Sequence, residues 1–418
     1  MKKLLTCLLA ALLLLASLSA LAEVPYAEGL TAEEIAALTQ TTVIRDENSP
    51  TGYIVAFRYE APDAQRVRIR GEWNFSDAYH SSTTQATTIL AEDWTPDVFP
   101  LQNPSWPAFD MEKNDAGIWC YDIPLPSGTW SYRFVVDGVE GAELTDYTDA
   151  FVETDPNNRP MEKVLGEQNN SQVYVPFDPK KQVLDNSIQA PRTDGQTGTI
   201  VNLTYEPTGV PEESIVDTAA IAVYLPYGYD EDREEPYKVL YISHGSGLES
   251  EYSWFNKGCM EEMLDNLIAD HGVEPFVVVS LNSYATSFDD DNVIENVIPL
   301  VETNFNVCTE ASGRAMAGLS GGARLTLRLA GSYPEMFDYY CPMAGELEEV
   351  VFDGEKLQNA KFHITMGLYE ARLDKLTEME TALTEAGVPY TQALYEGGHD
   401  WFVWRASFVD YVTDLLWK

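Results

Sequence analysis

The stretch GLSGG, residues 318–322, places Ser320 between glycines and is the first candidate for chemistry in this chain. It satisfies G-x-S-x-G, a pattern in which the serine projects from a sharp turn between a strand and a helix. The flanking residues fit, because RAMAGL predicts a buried strand and GGARLTLRLAGS predicts a helix. We expect Ser320 to be a nucleophile, with the backbone N–H of Gly321 as an oxyanion donor at the helix N-terminus. The alternative is a structural glycine turn that contains an incidental serine.

A serine nucleophile needs a base, and the chain has five histidines. In strand–turn–helix sites of this kind the order along the chain is serine, acid, histidine, and only His363 and His399 follow Ser320. His363 lies within an apolar strand, where a histidine of the core is expected. His399 follows YEGG, between the last predicted strand and the last predicted helix, and we predict that it is the base.

The acid is expected between the serine and the histidine, after the strand KFHITMG that ends at Gly367. Glu370 is the first carboxylate beyond that strand, and Asp374, one helical turn further on, is the alternative. The acid would fix the tautomer of the imidazole and stabilise the imidazolium. A carboxylate here could also only favour a helix N-terminus through the helix dipole.

The segment HGSG, residues 244–247, follows the apolar strand KVLYIS and supplies a second candidate oxyanion donor, Ser246, with Gly247 as the next choice. A plain turn is the alternative reading of this segment. Trp254 and Trp401 are candidates for contact with an arylacyl or sugar group, or else they pack the core. No H-E-x-x-H motif and no phosphate-binding loop is present, so we expect neither a metal nor a cofactor.

Beyond residue 185 apolar runs alternate with helical segments, which predicts a doubly wound α/β sheet with its ligand site at the carboxyl ends of the strands. Residues 46–155 instead show short alternating stretches, as in QRVRIRGEW and GTWSYRFVVDG, which predict an antiparallel β-sandwich. The predicted organisation is a leader with a short capped helix over 23–45, the sandwich over 46–155, a linker over 156–185 and the α/β domain over 186–418.

The first 22 residues carry two lysines, a leucine-rich run and an Ala-x-Ala ending, which predict a cleaved signal peptide and an exported protein. The net charge of −41 disfavours nucleic acid, anionic membranes and polyanionic substrates, and leaves neutral substrates open. Four cysteines remain beyond the signal, without C-x-x-C spacing, and one disulfide among them is possible. The sequence does not define an oligomeric state.

The motifs together resemble the esterase group that contains feruloyl and acetylxylan esterases, whose core siderophore trilactone esterases and mycobacterial mycolyltransferases share. The resemblance covers residues 172–418 and rests on YLPYGYDEDREEPYKVLYISHGSG, NVIPLVETNFNV, RAMAGLSGGARLTLRLAGSYPEMFDYY and YEGGHDWFVWRASF. It implies an α/β-hydrolase fold with Ser320, Glu370 and His399 as a triad and with Ser246 and Gly321 as the oxyanion hole. The chain departs from the family at Gly321, where methionine is usual, and at Glu370, where aspartate is common.

Residues 50–150 resemble the immunoglobulin-like modules that precede such esterases and glycogen-acting enzymes. Members of that group bind glycans or only dock on the catalytic domain, and alternation places Trp130 on a core face. The resemblance of residues 172–418 to the esterase group implies a secreted serine esterase that removes feruloyl or acetyl groups from xylan. The alternatives are a siderophore trilactone esterase and a non-catalytic glycan-binding protein with a degenerate hydrolase domain.

Overall fold

The computed structural model describes residues 24–77, 89–100, 106, 108–138, 151–158, 170–211, 218–247 and 249–418. The predicted signal segment lies outside the described residues, as does His80. Within the described ranges, no helix is both long enough and apolar enough to cross a bilayer.

The N-terminal part of the chain forms two β-sheets, in which every pairing except that of β1 with β2 is antiparallel. The strands are β1 (Tyr26–Glu28), β2 (Thr42–Arg45), β3 (Tyr53–Glu60), β4 (Val67–Gly71), β5 (Phe75–Ser76), β6 (Phe99–Pro100), β7 (Ala108–Asp110), β8 (Glu112–Lys113), β9 (Ile118–Ile123), β10 (Gly128–Val136), β11 (Val152–Glu153) and β12 (Ser171–Val175). One sheet has the order β1-β2-β3-β9-β8, and the other has the order β11-β10-β4-β7 with β12 also paired to β10. Strands β5 and β6 form a separate hairpin.

The two sheets share one hydrophobic core. Val55 and Phe57 of the first sheet and Ile69, Trp130 and Tyr132 of the second are all fully buried in it. The prediction that Trp130 faces the core is therefore confirmed. The identification of this region as an immunoglobulin-like module stays a prediction.

Strand β4 differs from the expected half-buried strand, because both of its faces are covered. Arg68 and Arg70 are 3% and 2% exposed. The guanidinium of Arg70 donates to the carbonyl of Trp106 from Nε at 3.1 Å and from Nη2 at 3.0 Å. Backbone acceptors at the strand's outer face thus allow arginines to be buried where alternation alone predicts exposure.

The predicted domain boundaries differ from the structure at both ends of the sandwich. In the leader, Thr31 and Glu34 form the expected capping box of helix α1 (Ala32–Ala36), but β1 and β2 belong to the first sheet. In the predicted linker, β12 pairs with β10 over five residues of register. This strand was not predicted, because polar residues precede it around Asn169–Asn170 and its apolar residues alternate over only one short run.

The C-terminal part contains an eight-stranded sheet of order β13-β14-β16-β15-β17-β18-β19-β20. Its strands are β13 (Thr199–Tyr205), β14 (Ala219–Leu225), β15 (Val239–Ser243), β16 (Val277–Leu281), β17 (Arg314–Leu319), β18 (Tyr339–Met343), β19 (Lys361–Gly367) and β20 (Tyr390–Tyr395). Only β14 runs against the others, and β15 to β20 are parallel. The predicted doubly wound α/β domain is the observed one, with β13 and β14 added at one edge.

Helices cover both faces of this sheet. They are α2 (Ser253–Asn256), α3 (Met260–Asp270), α4 (Asp290–Asn292), α5 (Ile298–Asn304), α6 (Gly321–Ser332), α7 (Asp374–Ala386) and α8 (Trp401–Asp410), with a π-helical segment, Val293–Val297, that joins α4 to α5. Apolar side chains of α2, α3 and α8 fill one core, and those of α5, α6 and α7 fill the other.

The strand order reverses at β15, which lies between β16 and β17. The chain moves from β15 to β16 on one side and then returns to β17 on the other. Ligands of open α/β sheets bind at the carboxyl ends of the strands at such a reversal. The segments that follow β15 and β17 are HGSG and GLSGG, so the topology brings the two predicted oxyanion donors to this place.

Candidate active site

Ser320 lies between the end of β17 and the start of α6, in a backbone conformation of φ +50° and ψ −110°. A non-glycine residue adopts such angles only where the surrounding structure imposes them. The turn is held by a hydrogen bond from Ser320 N to the carbonyl of Met343, at 2.9 Å. This is the strained strand–turn–helix geometry that GLSGG predicts.

The glycines around Ser320 are required by close backbone contacts. A Cβ at Gly322 would lie 2.5 Å from the carbonyl oxygen of His244 and 2.6 Å from that of Ser243. A Cβ at Gly318 would lie 2.5 Å from the backbone of Gly322. Helix α6 can therefore begin directly against the end of β15 only with glycine at these positions.

His399 and Glu370 form a hydrogen-bonded pair, with His399 Nδ1 2.9 Å from Glu370 Oε2. The side chain of Glu370 is 2% exposed, whereas that of His399 is 42% exposed. The other carboxylate oxygen, Oε1, accepts the backbone N–H of Gly367 at 3.1 Å. A fixed, buried carboxylate thus holds an imidazole that is partly exposed to solvent.

The alternative acid, the alternative base and the buried His244 lie elsewhere. Asp374 begins α7 and is exposed, without a contact to His399. His363 is buried in β19, where Nδ1 lies 2.8 Å from Thr391 Oγ1. His244 is fully buried, and this burial lowers its pKa, while its Nδ1 donates to the carbonyl of Gly245 at 2.7 Å.

Ser246 lies directly beside Gly321. A Cβ at Gly321 would be 2.9 Å from Ser246 N and 2.5 Å from Ser246 Oγ. A Cβ at the neighbouring Gly245 would be 3.2 Å from Ser320 Cβ. Neither the Gly321 N–H nor the Ser246 N–H donates to an acceptor among the described residues. Two backbone donors are thus available next to the hydroxyl-bearing residue, as an oxyanion hole requires.

Trp254 and Trp401 pack the core beneath the histidine loop instead of lining an open surface. Trp254 is fully buried, donates from Nε1 to the carbonyl of Ser243 at 3.1 Å, and meets Trp401 edge-on at 5.2 Å between ring centroids. Trp401 is 6% exposed and meets Trp404 edge-on, which in turn meets the ring of His399 at 5.0 Å. Of the two roles expected for Trp254 and Trp401, the structure shows core packing and not an exposed position for direct substrate contact.

Sequence reasoning did not identify Asp400, which caps α8. Its carboxylate accepts the backbone N–H groups of Gly398, Phe402 and Val403 at 2.9, 3.1 and 3.1 Å. Burial raises its pKa to about 6, and the nearby charge of Glu370 adds to this rise. The signal in the sequence was an aspartate directly before a helical run, which is typical of an N-cap.

The β5–β6 hairpin of the N-terminal region contacts the loop that carries Glu370. Phe99 of β6 stacks on Tyr369, the residue before Glu370, with ring centroids 4.6 Å apart and planes 17° from parallel. The hydroxyl of Tyr369 donates to Glu396 Oε2 at 2.7 Å. The loop that carries Tyr369 and Glu370 is therefore covered in part by Phe99 of the N-terminal region.

In the part of the chain that the structure describes, no group of three or more His, Cys, Asp or Glu side chains is arranged to hold a metal ion. Cys120, Cys259, Cys308 and Cys341 are all free thiols. The possible disulfide among them is therefore not formed in this structure.

Comparison with known proteins gives sequence similarity for the C-terminal half. Residues 213–363 match the family described as "Putative esterase". The chain is 31% identical over 240 residues to an endo-1,4-beta-xylanase/feruloyl esterase of Xylanibacter ruminicola, covering 53% of this chain and 32% of that protein. It is 30% identical over 166 residues to endo-1,4-beta-xylanase Y of Acetivibrio thermocellus, covering 36% of this chain and 14% of that protein. The chain thus spans a third or less of the length of these two relatives.

A solved structure shows a similar fold over nearly the whole chain. The enterobactin esterase of Shigella flexneri, crystallised with 2,3-dihydroxy-N-benzoyl-glycine, has a TM-score of 0.54 at 14% identity, and the match covers 92% of this chain and 98% of that one. At this identity the likeness concerns the fold. In sequence, the chain is therefore similar to a protein that contains a feruloyl esterase, and in fold it is similar to an esterase of the α/β-hydrolase type.

Proposed function

We propose that the chain is an exported serine carboxylic-ester hydrolase that removes feruloyl or acetyl groups from plant cell-wall xylan through an acyl-enzyme. The observation that carries this proposal is the hydrogen bond between His399 Nδ1 and Glu370 Oε2, at 2.9 Å. This pair lies at the carboxyl ends of the parallel strands, where Ser320 also occupies its strained turn. The proposed triad is Ser320, His399 and Glu370.

In the proposed mechanism, Ser320 Oγ attacks the ester carbonyl while His399 Nε2 accepts the hydroxyl proton. The negative charge that develops on the carbonyl oxygen is stabilised by the N–H groups of Gly321 and Ser246. Collapse of the tetrahedral intermediate expels the sugar alcohol, which takes the proton from His399. Water activated by His399 then attacks the acyl-enzyme and releases the carboxylic acid.

The geometry around His399 supports this assignment of roles. Glu370 is bonded to Nδ1, which orients Nε2 away from the carboxylate. The carboxylate is itself fixed by Gly367 N, so it holds the imidazole in one tautomer and stabilises the imidazolium. The exposed face of His399 leaves access for an ester that is attached to a polymer.

The substrate class is supported by similarity and by charge. A relative with 31% identity is named endo-1,4-beta-xylanase/feruloyl esterase. The net charge of −41 favours neutral over polyanionic substrates, because long-range repulsion opposes the approach of anions. Export is supported by the Lys-Leu-rich segment with its Ala-x-Ala ending.

A siderophore trilactone esterase is the second candidate. The likeness in fold to an enterobactin esterase extends over 92% of the chain and includes the N-terminal region. The same negative charge opposes it, since such trilactones are anionic. A non-catalytic glycan-binding protein is a third candidate, but such a protein has no need of a buried acid paired with an exposed histidine.

The test is a substrate panel with the purified protein: a chromogenic acetate, methyl ferulate, acetylated xylan and a catecholate trilactone. We expect hydrolysis of the acetate and of at least one of the two xylan-type esters. Hydrolysis of the trilactone alone would favour the second candidate, and hydrolysis of none of the four would favour the third.

A further inference from the structure

Arg324, on the first turn of α6, reaches from the nucleophile helix to the loop that follows β15. Its Nη2 donates to Ser246 Oγ at 3.0 Å. The side chain is 28% exposed and lies at the surface of the site. This contact joins two segments that are 78 residues apart in the sequence.

The position of Ser246 determines whether its backbone N–H can act on the substrate. Ser246 belongs to a short segment without regular secondary structure, and Gly247, which follows it, has a φ of +123°. An oxyanion donor stabilises the transition state only when it is held about 3 Å from the place where the charge develops. The segment therefore needs an anchor, and the hydrogen bond from Arg324 is attached to the side chain of the donor residue itself.

Arg324 is in turn fixed by carboxylates. Its Nη1 lies 3.3 Å from Glu346 Oε1 and 3.3 Å from Glu348 Oε1. Glu346 Oε1 also accepts from Arg372 Nη1 at 3.1 Å. Arg372 is two residues beyond Glu370, so this chain of ion pairs connects the loop of Ser246 to the loop of the proposed triad acid.

We propose that Arg324 is a positioning residue for the oxyanion hole: by holding Ser246 Oγ, it keeps the Ser246 N–H beside that of Gly321. This inference rests on the proposed function, because it concerns the same ester-cleaving site. A residue with this role affects turnover, whereas a residue that binds the substrate equally in ground and transition states affects KM.

A double-mutant cycle tests the inference in the full-length protein. Arg324→Met removes the donor, Ser246→Ala removes the acceptor and keeps the backbone N–H, and the double variant removes both. We expect each single variant to lower kcat by about 10-fold, less than the roughly 10²–10³-fold effect of deleting an oxyanion donor. We expect KM to change by less than about two-fold, and the double variant to be no slower than the slower single variant.

Two further variants separate positioning from general loss of charge. Arg324→Lys keeps one donor that reaches either Ser246 or Glu346, and we expect it to restore part of kcat. Arg328→Met is the matched control, because Arg328 lies one turn along α6 and shares Glu348 with Arg324, but bonds to Asp290 and to the carbonyl of Phe288 instead of Ser246. Its kcat should fall by less than that of Arg324→Met.

Effects of Arg324→Met and Ser246→Ala that multiply in the double variant would overturn the inference, as would a change in KM alone. Thermal unfolding of each variant identifies any loss of folded protein. Ser320→Ala is measured in the same assay. If it retains activity, the proposed function fails and this inference fails with it; if it is inactive while the cycle is additive, only the inference fails.

Discussion

The carboxylate of Glu370 and the imidazole of His399 have opposite environments, and the proposed chemistry needs both. The acid is buried and accepts a backbone N–H, whereas the base presents an exposed ring. A carboxylate so placed can orient the imidazole and stabilise the imidazolium, while its burial keeps it away from the substrate. The Trp404 ring packs edge-on against the ring of His399.

Substitution of Glu370 tests directly whether it is the acid that orients His399. In Glu370→Gln the amide can donate to His399 Nδ1, which favours the wrong tautomer, so we expect kcat to fall by about 10⁴-fold. The matched control is Asp374→Asn, which changes an exposed carboxylate at the start of α7 and should alter kcat by no more than about two-fold. The reverse order of effects in steady-state kinetics would identify Asp374 as the acid.

At this scale, the sequence predicts the residues of the site better than their contacts. Ser320 and His399 could be proposed from the sequence because a motif and an order along the chain define them. The partner of Arg324 could not, since Ser246 lies 78 residues away and becomes its neighbour only when β15 and β17 pair. The sequence left two roles open for Trp254, because composition near a motif does not distinguish a surface aromatic from one packed beneath the surface; the structure shows it buried in the core.

Among the elements, the last helix places its N-terminus next to the histidine. Asp400 caps α8 immediately after His399, and its carboxylate is fully buried. Burial raises its pKa to about 6, whereas an aspartate in the unfolded chain titrates near about 3.9. Folding therefore favours the protonated form of this group, which makes the stability of the helix start dependent on pH.

The sign of this dependence follows from the raised pKa. The stabilisation from protonated Asp400 is complete below about pH 4 and is lost as the pH rises through about 6. Asp400→Asn keeps a capping oxygen and removes the titration. Relative to this variant, the wild type should lose roughly 2–3 kcal/mol in free energy of unfolding between pH 4 and 7.

Denaturant unfolding of both proteins at several pH values measures this difference. Asp289→Asn is the matched control, because Asp289 also caps a helix and accepts a backbone N–H, from Asn292, but is only partly buried. Parallel curves for the wild type and Asp400→Asn would show that Asp400 does not titrate in this range.

Strands with a clear apolar pattern in the sequence were predicted, whereas a strand without such a pattern was missed. The six parallel strands β15 to β20 were each predicted from an apolar run, and all are present, although β20 is only partly buried. Strand β12 lies in a stretch interpreted as a linker, because only its pairing with β10 makes it a strand. The burial of Arg68 and Arg70 likewise depends on backbone acceptors that lie far from them in sequence.

For the whole molecule, the two regions are joined by a buried arginine. Arg405 of α8 is 2% exposed, and its Nε donates to the carbonyl of Lys257 at 2.7 Å. Its Nη1 donates to the carbonyl of Thr129, in β10 of the sandwich, at 3.1 Å and to Gln189 Oε1 at 3.3 Å. Beside it, Trp130 of the sandwich packs against Phe402 with ring centroids 5.2 Å apart. The sandwich thus packs on the helix that follows His399.

Loss of this arginine should weaken the whole chain. Arg405→Met removes the buried hydrogen bonds to the carbonyls of Lys257 and Thr129 and to Gln189 Oε1, so we expect the free energy of unfolding to fall by on the order of 2–4 kcal/mol. Denaturant unfolding followed by tryptophan fluorescence measures this. Arg66→Met, which removes the exposed Arg66–Asp110 pair in the sandwich, should cost less than about 1 kcal/mol. Equal midpoints for the wild type and Arg405→Met would contradict a structural role for the contact.

The central claim, that Ser320 is the nucleophile of an ester hydrolase, is tested most directly by the turnover of Ser320→Ala. Wild type and variant are compared on a chromogenic acetate and on methyl ferulate, with thermal unfolding to verify that both are folded. Because the hydroxyl makes few packing contacts, we expect an unchanged fold and a kcat lower by on the order of 10⁶-fold. Residual activity above about a tenth of the wild-type value would contradict the account, since a triad without its nucleophile retains far less.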